Sequence, residues 1–165
     1  MKTAGNTDIS IRADFRQFLA DDYPIIALTA VLTGAAPVLV RHHDRYIALT
    51  VGLMTVFLLS FLTIRYAMLV SVRWMVEGET LCRSCGVLSR NTDYIELYRI
   101  VDYQESRSFM QRLLGVKTVT VYSTDKSDAV SDIPGVPAGM DLVGMLREKV
   151  EECKRERNIY EIANS

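Results

Sequence analysis

Two uncharged apolar runs, Pro24–Val40 and Tyr46–Ile64, stand five residues apart, joined by Arg41-His42-His43-Asp44-Arg45. At 1.5 Å per residue the nineteen residues of the second run reach about 28 Å, close to the hydrocarbon thickness of a bilayer. The seventeen residues of the first run reach about 25 Å, and their Ala, Thr, Gly and Pro37 make it the less hydrophobic of the pair. A connection this short can only turn the chain straight back. The two runs therefore read as a transmembrane helical hairpin, with Tyr23, Tyr46 and Tyr66 as interfacial anchors at its ends.

If the turn is centred on His43, residues at equal depth have numbers that sum to 86. Gly34 then faces Gly52, and each has an alanine four residues before it, Ala30 and Ala48. Small residues let helices approach closely in lipid, so these four are the expected packing positions. The tail and the start of the following domain carry Lys2, Arg12, Arg16, Arg65, Arg73 and Arg83, against Arg41 and Arg45 in the turn. This bias places both termini in the cytoplasm and the hairpin in the cytoplasmic (inner) membrane. The only two histidines, His42 and His43, are read as a solvated turn, because a metal site needs further ligands and only Asp44 lies near.

Residues 1–23 are too polar for a secretory signal. Within them Ile11, Phe15, Phe18 and Leu19 recur at helical spacing, which predicts a short amphipathic helix before the first span. The chain then divides into this segment, the hairpin over 24–65, a domain over 66–157 and a tail over 158–165. From Arg65 onward there are fourteen Lys/Arg against fifteen Asp/Glu. No basic stripe advertises nucleic acid, and no polybasic cluster follows the second span.

In the domain the period shortens to two. Strands are expected over Val70–Glu77, Thr80–Cys85, Val87–Arg90, Asp93–Ile100, Val101–Glu105, Lys117–Ser123 and Ala129–Ile133, with the Gly78-Glu79 turn between the first two. A short helix is expected over Ser108–Leu114, stopped by Gly115. A final helix runs from an Asp141 cap to about Arg157, with Leu142, Met145, Leu146, Val150 and Cys153 along its apolar stripe. The fold class is α+β: a membrane hairpin, then a strongly bent sheet or open barrel capped by the C-terminal helix.

The segments Gly86-Val87-Leu88-Ser89-Arg90, Ile95-Glu96-Leu97-Tyr98-Arg99-Ile100, Gln111-Arg112-Leu113-Leu114-Gly115 and Val119-Thr120-Val121 together resemble the bacterial pleckstrin-homology-like (PH-like) membrane proteins. That family's pattern reads G-L-L-S-R, I-P-L-x-R-I, Q-R-L-L-G and V-x-V in this order. The likeness covers roughly Arg73 to Glu148, and two preceding spans fit it as well. It departs at Val87, at Asn91–Asp93 and in the charged tail after Val150. The resemblance implies a partly open seven-stranded barrel closed by the last helix, self-association, and no catalytic residues.

Cys82-Arg83-Ser84-Cys85 has the spacing of redox and zinc sites. In a strand, however, the two thiols project to opposite faces, and Cys153 alone cannot complete a zinc set. No phosphate-binding glycine loop and no nucleophilic triad is present. Arg83, Arg90, Arg99, Arg107 and Arg112 are the candidate ligand or partner contacts. Glu77 and Glu79 occupy the first hairpin, where eukaryotic PH domains cluster their basic residues. No catalytic, cofactor-binding or metal-ligating residue is assigned, no cofactor is expected, and neither nucleic acid nor a small-molecule ligand is an expected partner. The favoured reading is a non-enzymatic scaffold in the bilayer that self-associates or joins a membrane-protein complex. A lipid or small-ligand sensor using the barrel is the alternative, and a thiol enzyme using Cys82 and Cys85 comes third.

Overall fold

The computed structural model describes residues 9–42, 45–124 and 129–163. Strand β1 (Ser10–Arg12) leads into two long helices, α1 (Phe15–His42) and α2 (Arg45–Ser71). Strands β2 (Arg73–Glu77), β3 (Thr80–Cys85) and β4 (Asn91–Glu96) follow, and a 3-10 turn over Leu97–Arg99 leads into β5 (Ile100–Ser106). Helix α3 (Phe109–Leu114), strands β6 (Val116–Ser123) and β7 (Val130–Pro137), and helix α4 (Leu142–Ala163) complete the chain. The turn around His43-Asp44 lies outside the described residues.

The strands form two antiparallel sheets, β1-β2-β3-β4 and β5-β6-β7, which do not close into a barrel. Trp74, Leu81, Leu97, Val121 and Ile133 fill the space between them, each at most 2% exposed. Along α4, Leu142, Leu146, Val150 and Cys153 are buried against this cluster while Met145 stays exposed. The α+β architecture and the capping helix are as the periodicity indicates. The final helix continues to Ala163, past the expected end near Arg157.

Three local expectations change. The stretch read as one amphipathic helix is divided. Ile11 pairs with Trp74 in β1, and helix begins only at Phe15. The seventh strand thus comes from before the hairpin, and six follow it. Residues 70–71 extend α2, so the first strand after it starts at Arg73. Val87–Arg90, read as a strand, is instead the turn between β3 and β4.

Helix α1 runs through Pro24 without interruption and includes Pro37. Its 28 residues would extend about 42 Å at the standard rise. Threonine hydroxyls in both helices donate back to carbonyls one turn earlier, as Thr29 does to Ile25 at 2.7 Å and Thr55 to Val51 at 2.9 Å. Thr33, Thr50, Ser60 and Thr63 likewise donate to carbonyls of their own helix.

The less exposed positions of α1 include Ile25, Thr29, Leu32 and Ala36, and those of α2 include Val51, Thr55, Leu58 and Leu62. Both sets advance by four, three and four residues, the spacing of a left-handed heptad seam. The Arg65–Asp22 ion pair, at 3.2 Å, fixes the depth register. These numbers sum to 87, one away from the value that a turn at His43 implies. The glycines, however, lie off the seam. Gly34 lies two residues beyond Leu32, about 200° around the helix, and Gly52 one beyond Val51. A Cβ built on either glycine meets nothing within 4 Å. Ala30 is exposed, and only Ala48 of the four expected contacts is half-buried. The seam is made by medium-sized side chains, and the glycines face outward.

Candidate functional site

The base of α1 is built into the sheet domain. Ile9 and Ile11 are buried in the common core. The Asp14 amide donates to the Gly135 carbonyl at 3.0 Å, and the Asp14 carboxylate accepts from the Arg16 amide at 3.0 Å to start the helix. Gly135 has φ +72°, and a Cβ there would stand 2.9 Å from the Asp14 nitrogen. Only glycine admits both that conformation and that approach.

The Gln-Arg-Leu-Leu-Gly segment completes the attachment. Ser108 caps α3, its hydroxyl accepting from the Gln111 amide while the Gln111 carboxamide oxygen accepts from the Ser108 amide. The Gln111 carboxamide nitrogen donates to Gln17 of α1 at 2.9 Å and to Thr118 at 2.7 Å. Gln17 in turn donates to both Asp21 oxygens. Both glutamines are buried. The motif that carries the family resemblance thus bonds the domain to the first long helix.

Two clefts flank the last turns of α2, where it enters the sheet. The first, about 560 Å³, contains Asp21, Asp22, Arg65 and Arg83 above a floor that includes Met68 and Leu69. Its charges balance, two carboxylates against two guanidiniums. Arg83 lies 5.5 Å from the centre of the Trp74 ring, and its buried Nε has no hydrogen-bond partner among the described residues. The second cleft, about 550 Å³, runs along the other flank of α2 from Thr63 and Tyr66 to Arg73, Ser84 and Arg90. Among the described residues no carboxylate lines it. Arg73 lies opposite Ser84 in the β2–β3 register, and Arg90 immediately precedes β4.

The turn after β3 separates the two clefts, and Gly86 and Val87 line both. Gly86 has φ +122°, and a Cβ there would fall 1.7 Å from the Ser89 carbonyl oxygen. A glycine is obligatory for this tight reversal. It leaves Val87 and Leu88 outward, with Leu88 fully exposed.

The five arginines singled out in the sequence are dispersed. Arg83 and Arg90 belong to different clefts. Arg99 bonds to Glu96 at 3.0 Å beside Tyr98, whose ring also lies 3.8 Å from the Arg157 guanidinium. The Tyr98 hydroxyl first, then Arg99 and Arg157, hold the Glu96 carboxyl below its ordinary range. Arg107 stands 3.9 Å from Glu105, which also receives the buried Lys117 ammonium. Arg112 is on the exposed side of α3. Sequence reasoning missed Arg65, Arg73, Asp21 and Asp22 as cleft residues. Their signal was position: Asp21 and Asp22 just precede the first apolar run, and Arg65 and Arg73 are the first two charges after the second.

Cys82, Cys85 and Cys153 are free thiols. Burial first, then the neighbouring carboxylates Glu79, Glu156 and Glu152, raises the Cys153 thiol above its ordinary value. Among the described residues no group of three or more His, Cys, Asp and Glu is placed to hold a metal.

Two long apolar helices followed by a bent pair of sheets under a capping helix define a PH-like interaction module. The chain belongs to the family described as the Bacterial PH domain, which matches it over residues 23–156. The comparisons with curated proteins and with solved structures found no match. PH-like domains are generally non-catalytic modules for protein or lipid interaction. Both long helices, over Phe15–Val38 and Tyr46–Ser71, are long and apolar enough to cross a membrane.

Proposed function

We propose that this chain is a membrane-anchored, non-enzymatic adaptor. The hairpin sits in the cytoplasmic membrane with both termini in the cytoplasm. The PH-like domain binds protein, either a second copy or a neighbour in a larger membrane complex. The positive-inside bias supports this orientation, as does the pairing of β1 with β2, which puts the N-terminal strand on the same side as the domain.

The observation that carries the reading is the free edge of β5. This strand of seven residues is bonded to β6 on one side only and forms an edge of its sheet. Val101 on it is 62% exposed. An unpaired edge of this length accepts an extended segment by strand addition. The interior of the domain is filled by its own side chains, which favours a protein partner over a ligand held inside the barrel. The solvent face of α4 adds a charged contact surface nearby, its Lys154 reaching the Ile100 carbonyl at 3.2 Å.

Native mass of the full chain, extracted gently with its neighbours, tests the reading. The expected particle is larger than a monomer, and Val101→Asp reduces it to the monomer while the hairpin stays in the membrane. A wild-type chain that remains a monomer with no bound protein contradicts it.

A further inference from the structure

The two clefts beside α2 have almost the same volume but different electrostatics, the first balanced and the second basic. In the first, Asp22 already bonds Arg65 at 3.2 Å and Asp21 already accepts from Gln17. In the second, Arg73 and Arg90 have no ion-pair partner among the described residues, and no carboxylate lines the wall. We propose that this second cleft binds the phosphate of an anionic glycerophospholipid from the surrounding leaflet, while Val87 and Leu88 enter the headgroup layer beside it. The proposal rests on α1 and α2 spanning the bilayer, and is independent of which protein the β5 edge takes.

Depth is the first support. The uncharged run of α2 ends at Ile64, and Arg65 is the first charge after it. The second cleft is lined by Thr63, the second-to-last residue of that run, and by Tyr66, a residue type that anchors at the membrane interface. It therefore opens at the level where headgroup phosphates lie.

Chemistry is the second. Guanidinium groups pair with phosphate oxygens through parallel N–H donors. Here two of them line one cleft, Arg73 from β2 and Arg90 from the turn before β4, beside an Ala67, Val70 and Met75 surface suited to the glycerol and upper acyl carbons. The third support is the turn itself. Gly86 forces an apolar tip outward, with Val87 59% exposed and Leu88 entirely so. In water such a tip gains nothing, whereas at the membrane interface it is buried among lipid. The site lies at the opposite end of β3 from the Gly78-Glu79 turn.

The full chain, purified in detergent, would be titrated with phosphatidylglycerol and separately with phosphatidylcholine, and bound lipid counted by native mass spectrometry. One phosphatidylglycerol is expected per chain. Each arginine near an anionic lipid changes affinity by about fivefold, so with two arginines the preference over phosphatidylcholine should be roughly twenty-five-fold. Arg73→Gln with Arg90→Gln should abolish that preference. Arg73→Lys with Arg90→Lys should keep most of it, and Arg83→Gln, in the balanced cleft, should leave it intact. Equal retention of the two lipids overturns the proposal, as does a preference that survives the double glutamine variant. Displacement by millimolar inorganic phosphate would overturn the lipid source. Resistance of the wild-type chain to alkaline extraction from membranes checks the spanning reading separately. Loss of the chain from the membrane refutes that reading, whereas retention without lipid preference refutes only the lipid site.

Discussion

The hairpin and the sheet domain are held together by different physics. Between α1 and α2 the contact is a single heptad seam with one ion pair at its base, and most side chains of both helices face outward. Between the sheets the central side chains are buried, and Lys117 and Gln111 bond across strands or to α1. The Trp74 Nε1, Tyr103 hydroxyl and Ser131 hydroxyl have no hydrogen-bond partner among the described residues. In the proposed membrane setting lipid would surround the hairpin, where apolar side chains gain nothing by leaving hydrocarbon for one another. The domain must stabilise itself against water, so it depends on area removed from solvent and on satisfied polar groups. The difference teaches where substitutions should matter.

The largest effect should fall on the buried Lys117 of β6. Its ammonium is almost fully buried and bonded to Glu105, whose side chain is about one-third exposed. Glu105→Ala leaves that charge without its principal partner and should destabilise the domain by about 3–5 kcal/mol, whereas Lys117→Met should cost little. Denaturation followed by the fluorescence of Trp74, the one tryptophan, reads both. Next comes the bond between the two regions. Gln111→Ala removes the partner of buried Gln17 and should cost about 1–3 kcal/mol. Proteolysis should then reach the segment between β1 and α1 before it reaches the core.

A smaller effect is set by pH. Burial first, and Glu151 after it, push the Tyr103 hydroxyl up to about 12 against the opposing influence of Arg147. A raised folded value means the native state keeps the proton longer than the unfolded chain. Stability from this group is therefore complete below about pH 10 and is lost as the pH climbs through about 12. The hydroxyl has no hydrogen-bond partner among the described residues. Tyr103→Phe should accordingly be tolerated at neutral pH and should flatten the alkaline limb of a stability profile. The smallest effect belongs to the hairpin. Gly34→Ala and Gly52→Ala should shift thermal stability in a bilayer by no more than about 0.5 kcal/mol, since the added methyl meets no neighbour. A loss several times larger would restore the glycine faces as the contact.

Much of this contrast was legible in the residues. Long uncharged runs announce themselves, and the apolar residues of Ser108–Leu114, the Gly115 stop and the alternating Val119 and Val121 place α3 and β6 to within one residue. The packing face of the hairpin was not legible, because glycine on an apolar helix carries no direction, whereas the seam follows a spacing spread over many ordinary residues. Strand β1 escaped because three residues have no period to detect, and Ile11 fits a helical count by coincidence. Val87 and Leu88 were read as strand because apolar residues suggest burial. A tip poised at a membrane reverses that inference. The five arginines were drawn together by composition alone, and the register disperses them.

The central claim is that the hairpin and the domain form one folded unit, joined through β1 and the base of α1. Hydrogen exchange of the full chain in lipid nanodiscs tests it most directly. The account predicts that the Ser10–Arg12 peptide is protected in step with its partner β2 (Arg73–Glu77), and that both open together on destabilisation. Rapid exchange over Ser10–Arg12 while β2 and β3 remain protected would contradict it, and would return residues 11–19 to a separate amphipathic segment before the first span.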